Sequence, residues 1–122
     1  DNTDAEIMEK AISYCASIAY SLISKGIETG FCCNCHSSRD DETPILIPAG
    51  SGSGHINLLL ESMAMMQLKR SKMFHFFMDE IPDSFIESTD FLVVTNYVDA
   101  LMEKSIQRIK DMACSVEIQK LV

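Results

Sequence analysis

The chain has 122 residues, which is enough for one domain with a single core and too few for two. Its hydrophobic fraction of 47% and charged fraction of 23% exclude an intrinsically disordered chain. The formal net charge of −8 argues against nucleic acid as a partner, because phosphate backbones attract surfaces rich in Lys and Arg.

The first part of the chain predicts a helix followed by two strands. Apolar residues recur at helical spacing over residues 4–24, and Gly26 is placed to end this helix. A strand is predicted over residues 27–35, and a polar loop over residues 36–43. The next strand, over residues 44–48, has proline at both ends. Because proline cannot donate to the ladder, this strand is expected at the edge of a sheet.

The remainder of the chain alternates helices with strands. Helices are predicted over residues 55–68 and 73–78, and a continuous apolar run at residues 91–94 predicts a central strand covered on both faces. A helix over residues 98–112 and a partly exposed strand over residues 115–122 follow. This alternation predicts a doubly wound α/β sheet in a single domain spanning residues 1–122.

The cysteines favour reduced thiols over a disulfide framework. There are five, and Cys32, Cys33 and Cys35 crowd into one short stretch, so a cytosolic protein is expected. With His36 they form a Cys-x-x-Cys-His string, the pattern of covalent haem attachment and also a source of zinc ligands. Because the string closes a strand and no second pair of ligands follows, we interpret these cysteines as packing residues, with metal and haem as the alternatives.

A glycine-rich loop precedes the second predicted helix at residues 50–54. Backbone amides at a helix amino terminus can hold an anion. The loop is not a P-loop, since no Lys-Ser/Thr pair follows the glycines. The plainer interpretation is a connector in which Ser53 caps the helix, with His55 in a surface or capping role.

No catalytic arrangement is recognisable in the sequence. The three histidines, His36, His55 and His75, lie in no nucleophile elbow or triad context. The carboxylates are scattered, with no pair that the sequence places together. We therefore expect a protein that is not an enzyme.

Three stretches of the sequence, in order, resemble one known family. The first reads Glu6-x-x-x-x-Ala11-Ile12-x-x-x-Ala16-Ser17-x-Ala19-x-x-Leu22, followed by Lys25-Gly26-x-x-x-Gly30. The second reads Pro48-Ala49-Gly50-Ser51-Gly52-x-x-His55-Ile56-x-x-Leu59-Leu60-Glu61, and the third reads Phe91-Leu92-Val93-Val94-Thr95-Asn96. Their order and spacing are similar to those of the bacterial "domain of unknown function 58" family.

The resemblance implies a von Willebrand factor A-like fold, which is a three-layer, doubly wound, Rossmann-like sheet. This chain would be its carboxyl-terminal portion, lacking the first strand. Family genes commonly neighbour a MoxR-type AAA+ ATPase, so the resemblance implies a non-enzymatic adaptor in assembly or chaperone-like work. It also implies a cytoplasmic domain, often of a membrane-anchored parent protein. No apolar run here approaches the ~20 residues that a spanning helix needs, so any anchor is expected outside this segment.

A metal-ion-dependent adhesion site in such folds requires an Asp-x-Ser-x-Ser loop, a Thr and a later Asp. By the resemblance, Asn96 stands where the later Asp would be, and Asp99 is the alternative ligand. A neutral amide binds a hard cation more weakly than a carboxylate does. No metal or other cofactor is therefore expected.

The expected contact surface lies where doubly wound sheets bind ligands, at the carboxyl ends of the strands. We expect the chain to bind a protein partner, which the resemblance implies is a AAA+ ATPase, and not to bind nucleic acid. The alternative is an anion- or nucleotide-binding domain that uses the glycine loop. A homodimer is also expected, because an absent central strand leaves edges open to pairing. The candidate contact residues are Ser51, Gly52, Ser53, Gly54, His55, Thr95, Asn96 and Asp99.

Overall fold

A computed structural model describes residues 2–37, 44–70 and 73–121 of the chain. The chain divides into two compact units, Asp1–Lys72 and Met73–Val122. Both units combine helices with a small sheet, so the mixed α/β class predicted from the sequence is confirmed. The single domain predicted over residues 1–122 stays a prediction.

Unit 1 contains two helices and a three-stranded antiparallel sheet. Its elements are α1 (Asn2–Ser24), β1 (Thr29–Ser37), β2 (Pro44–Gly50), α2 (Ser53–Ala64) and β3 (Met66–Arg70). The strand order is β2-β1-β3, which places β2 at an edge as its prolines predict. Of the loop predicted over residues 36–43, residues 36 and 37 belong instead to β1, whose pairing with β2 and β3 continues to that point. Residues 38–43 lie outside the described residues.

The first helix ends as its sequence predicts. Gly26 adopts φ +81°, a conformation that glycine reaches without steric cost, and its amide donates to the Ile23 carbonyl. The Ile27 amide donates to the Leu22 carbonyl, which satisfies another carbonyl of the last turn. The core of unit 1 is formed where α1 and α2 cover the sheet, by Ala19, Ile23 and Leu59, with Phe31, Ile47 and Ile56 packed against them.

The start of β1 is marked by a close approach to β2 and by a shift in its pairing register. A Cβ atom at Gly30 would collide with the Ile47 carbonyl oxygen of β2, so only glycine allows the two backbones to approach this closely. The pairing register shifts between Thr29 and Phe31, which marks a bulge at the same point.

The second helix is shorter than the sequence predicts. It ends at Ala64 rather than near residue 68, and the following residues form β3, whose Met66 pairs with Ser37 and whose Arg70 pairs with Cys35. The buried residues of α2 are Leu59 and Met63. Pairing with β1 satisfies the backbone instead, and this tertiary contact overrides local helix propensity.

Unit 2 contains three helices and a two-stranded sheet. Its elements are α3 (Phe74–Asp79), α4 (Asp83–Ile86), β4 (Asp90–Thr95), α5 (Ala100–Met112) and β5 (Ser115–Lys120). The two strands are parallel and connected through α5, which makes a β-α-β unit. The buried residues include Phe77, Met78, Ile81, Ile86, Val93, Met102, Ile106 and Ile109.

The prediction that residues 91–94 form a central strand covered on both faces is wrong for the described chain. There β4 pairs with β5 alone, and although Val93 is buried, Leu92 on the opposite face is exposed. A continuous apolar run is typical of a central strand. Among the described residues, however, β4 has only β5 beside it, so its other edge and part of one face are uncovered. Among the described helices, none combines the length and apolar character needed to cross a membrane.

Candidate functional site

The predicted contact residues fall into two groups, one in each unit. Residues 51–55 join β2 to α2 in unit 1, whereas Thr95, Asn96 and Asp99 follow β4 in unit 2. Each group is a local structure with its own hydrogen bonds.

The glycine loop leads into α2 without a side-chain cap. Ser51, Gly52, Ser53 and Gly54 are all exposed. The N-cap is Gly52, with φ 92° and ψ 167°, and no side chain accepts a hydrogen bond from the first turn. The prediction that Ser53 caps the helix is therefore wrong, because Ser53 is already the first helical residue. A left-handed φ suits glycine at the N-cap position, and the early amides of α2 have no side-chain oxygen as partner.

His55 connects the start of α2 to the start of β1. Its Nε2 lies 2.6 Å from the Thr29 carbonyl oxygen. A carbonyl can only accept, so Nε2 carries the proton and donates. The ring also covers Gly50, where an added Cβ would lie 2.8 Å from Nδ1. His55 is thus a positioning residue that holds the loop in place, with its ring half-buried rather than extended into solvent.

The turn after β4 is held by hydrogen bonds from two of the predicted residues. The Thr95 hydroxyl donates to the Tyr97 carbonyl at 2.9 Å. The Asp99 carboxylate accepts from the Met102 amide at 2.9 Å and is the N-cap of α5. Asn96 lies between them and is exposed. The structure therefore assigns Asp99 to helix capping, with Asn96 exposed in the turn before it.

Two large apolar side chains stand exposed beside this turn. Tyr97 is 44% exposed and Leu101 is 52% exposed. We call the residues Thr95, Asn96, Tyr97, Asp99 and Leu101 the β4-end surface. The Ser105 hydroxyl lies 3.2 Å from the His75 carbonyl and 3.3 Å from the Leu101 carbonyl, so Leu101 sits next to α3, where Phe76 is also exposed.

Neither Tyr97 nor Leu101 was predicted from the sequence as a contact residue. The available signal was the spacing of α5. Met102, Ile106 and Ile109 form its buried stripe, and Leu101 lies one residue outside that stripe. An apolar residue beside a complete stripe is a candidate for a surface contact.

Two cysteines of unit 1, Cys15 and Cys32, are partly buried and lie close enough to interact. Burial, and then repulsion from Cys15, raises the pKa of Cys32 to about 11, and burial raises the pKa of Cys15. A neutral thiol is a poor nucleophile and a poor metal ligand. The Cys-x-x-Cys-His string also contains Cys35 and His36, whose backbone belongs to β1 but whose side chains are not described. Within the described part of the chain, no three His, Cys, Asp or Glu side chains are grouped so as to hold a metal ion.

A shallow cleft of about 200 Å³ lies between α1 and α2. It is lined by Glu9, Ile12, Ser13, Met63 and Ala64, none of which was predicted as a contact residue. The cleft is small compared with typical ligand pockets, which are roughly 300–1,000 Å³. It does not coincide with either group of predicted residues.

Neither a model of a known protein family nor any curated protein or solved structure matches the chain.

Proposed function

We propose that this chain is a non-enzymatic protein-interaction module whose partner binds at the β4-end surface. The observation that supports this best is the pair of exposed apolar side chains, Tyr97 and Leu101, beside the predicted contact residues Thr95 and Asn96. Tyrosine is enriched among the residues that dominate binding energy at interfaces. The carboxyl end of a strand in an α/β sheet is also where ligands usually bind.

The partner that we propose is a MoxR-type AAA+ ATPase, for which the chain acts as an adaptor in assembly or chaperone-like work. This rests on the resemblance to the "domain of unknown function 58" family. The same resemblance leads us to propose the three-layer, doubly wound, von Willebrand A-like arrangement and a cytoplasmic location. The β4-α5-β5 unit supports the arrangement, because parallel strands joined through a helix are the building block of doubly wound sheets.

The proposed contact does not depend on a metal ion. Asn96 offers a neutral amide, and one carboxylate oxygen of Asp99 already accepts from the Met102 amide. The contact would instead bury the Tyr97 ring and the Leu101 side chain, with the polar groups of the turn at its rim.

Titration of the purified chain against a purified MoxR-type ATPase, by calorimetry with and without EDTA, tests this proposal. We expect saturable binding that EDTA leaves unchanged. Truncation of an interface anchor costs about 2 kcal/mol, so Tyr97→Ala should weaken binding by roughly thirtyfold and Leu101→Ala by a smaller factor. Tyr20→Ala is the matched control, because Tyr20 is 60% exposed but lies in unit 1.

Asn96→Asp separates a metal-independent contact from a metal-dependent one. Restoring a carboxylate should leave the affinity unchanged if the apolar side chains carry the contact. Binding that appears only with this variant and Mg²⁺ would overturn the metal-independent proposal. No binding by the unaltered chain would overturn the adaptor function as stated.

The second candidate function is the binding of an anion or nucleotide at the glycine loop. It is favoured by the start of α2, where Gly52 leaves the first-turn amides without a side-chain cap and no acidic residue occupies the first turn. Backbone amides and the helix dipole together favour a negative charge at such a position.

Ser53→Asp distinguishes this candidate because it has opposite effects on stability and binding. A carboxylate in the first turn should stabilise the free protein by about 0.3–1 kcal/mol. It should also abolish thermal stabilisation by inorganic phosphate or ATP, because it competes for the same amides. If the unaltered chain shows no shift in melting temperature with either ligand, the anion-binding candidate is wrong.

A further inference from the structure

We draw no further inference here: the strongest candidate, the exposed apolar patch of Met73 and Phe76 at α3 beside Leu101 of α5, adjoins the β4-end surface already described, and nothing in the structure shows what covers it.

Discussion

At the scale of the residue, Cys32 links stability to pH. Its pKa is about 11 in the folded protein against an ordinary value of 9.0, with burial as the main cause and repulsion from Cys15 as the second. Below pH 9 the thiol is neutral in both states and stability is unaffected. Between about pH 9 and pH 11 the unfolded chain loses the proton and the folded chain keeps it, so stability falls by about 2–3 kcal/mol.

Comparison with Cys32→Ala isolates this effect from other groups that titrate in the same range. At pH 8 the variant should be the less stable protein, because it loses buried volume. The difference in free energy of unfolding should then shrink by about 2–3 kcal/mol as the pH approaches 11. Cys114→Ala, which removes an exposed thiol, is the matched control for the loss of a cysteine. A difference between Cys32→Ala and the unaltered protein that stays constant with pH would contradict the prediction.

Single residues also show where sequence reasoning reaches its limit. Asn96, which was predicted as a contact residue from the family resemblance, is exposed beside a turn, and its contact with a partner stays a prediction. Capping by Asp99 has a local cause, since its partner is the Met102 amide three residues on, and an Asp directly before a helix is the sequence signal for it. The role of His55 was not predictable, because its partner, the Thr29 carbonyl, is 26 residues away in the sequence. The exposure of the Leu101 side chain also depends on the fold, because it follows from which face of α5 is buried.

At the scale of the element, Arg108 joins α5 to the end of α3. Its guanidinium donates to the carbonyls of Met78 and Ile81 at 3.0 Å and 2.9 Å, and to the Asp83 carboxylate at 2.9 Å. The two carbonyls belong to buried residues, whereas the Asp83 side chain is 69% exposed. Hydrogen bonds from a charged donor to backbone groups that end a helix should outweigh an exposed ion pair.

We therefore expect Arg108→Met to destabilise unit 2 by about 2 kcal/mol, and Asp83→Asn to cost less than about 1 kcal/mol. Arg108→Lys should resemble Arg108→Met, because one ammonium group cannot reproduce the planar fork that reaches both carbonyls. Urea unfolding followed by circular dichroism measures all three variants. Equal losses for Arg108→Met and Asp83→Asn would show that the ion pair, rather than the carbonyl contacts, holds the two helices together.

Elements with a local cause were predictable, and those with a non-local cause were not. The end of α1 depends on Gly26, and the edge position of β2 depends on its prolines, so both could be predicted. The end of α2 depends on the pairing of β3 with β1, between residues distant in sequence, and it was misplaced. The four-residue α4 was missed because so short a helix has no apolar periodicity to detect.

At the scale of the whole molecule, the division into two compact units has a consequence for cooperativity. Local opening follows compact units of structure, so each unit should have its own free energy of opening. His55→Ala removes the hydrogen bond to Thr29 in unit 1, and Asp99→Ala removes the N-cap of α5 in unit 2. Each should cost about 1 kcal/mol.

Native-state hydrogen exchange can assign these losses to each unit. We expect His55→Ala to lower the opening free energy of amides in unit 1 alone, and Asp99→Ala to lower it in unit 2 alone, with Asp99→Asn as a control that keeps the cap. If either substitution lowers both sets of amides equally, the chain unfolds as one cooperative domain. That result would favour the single domain over residues 1–122 that the alternation of helices and strands predicts, because a shared core is what makes distant amides open together.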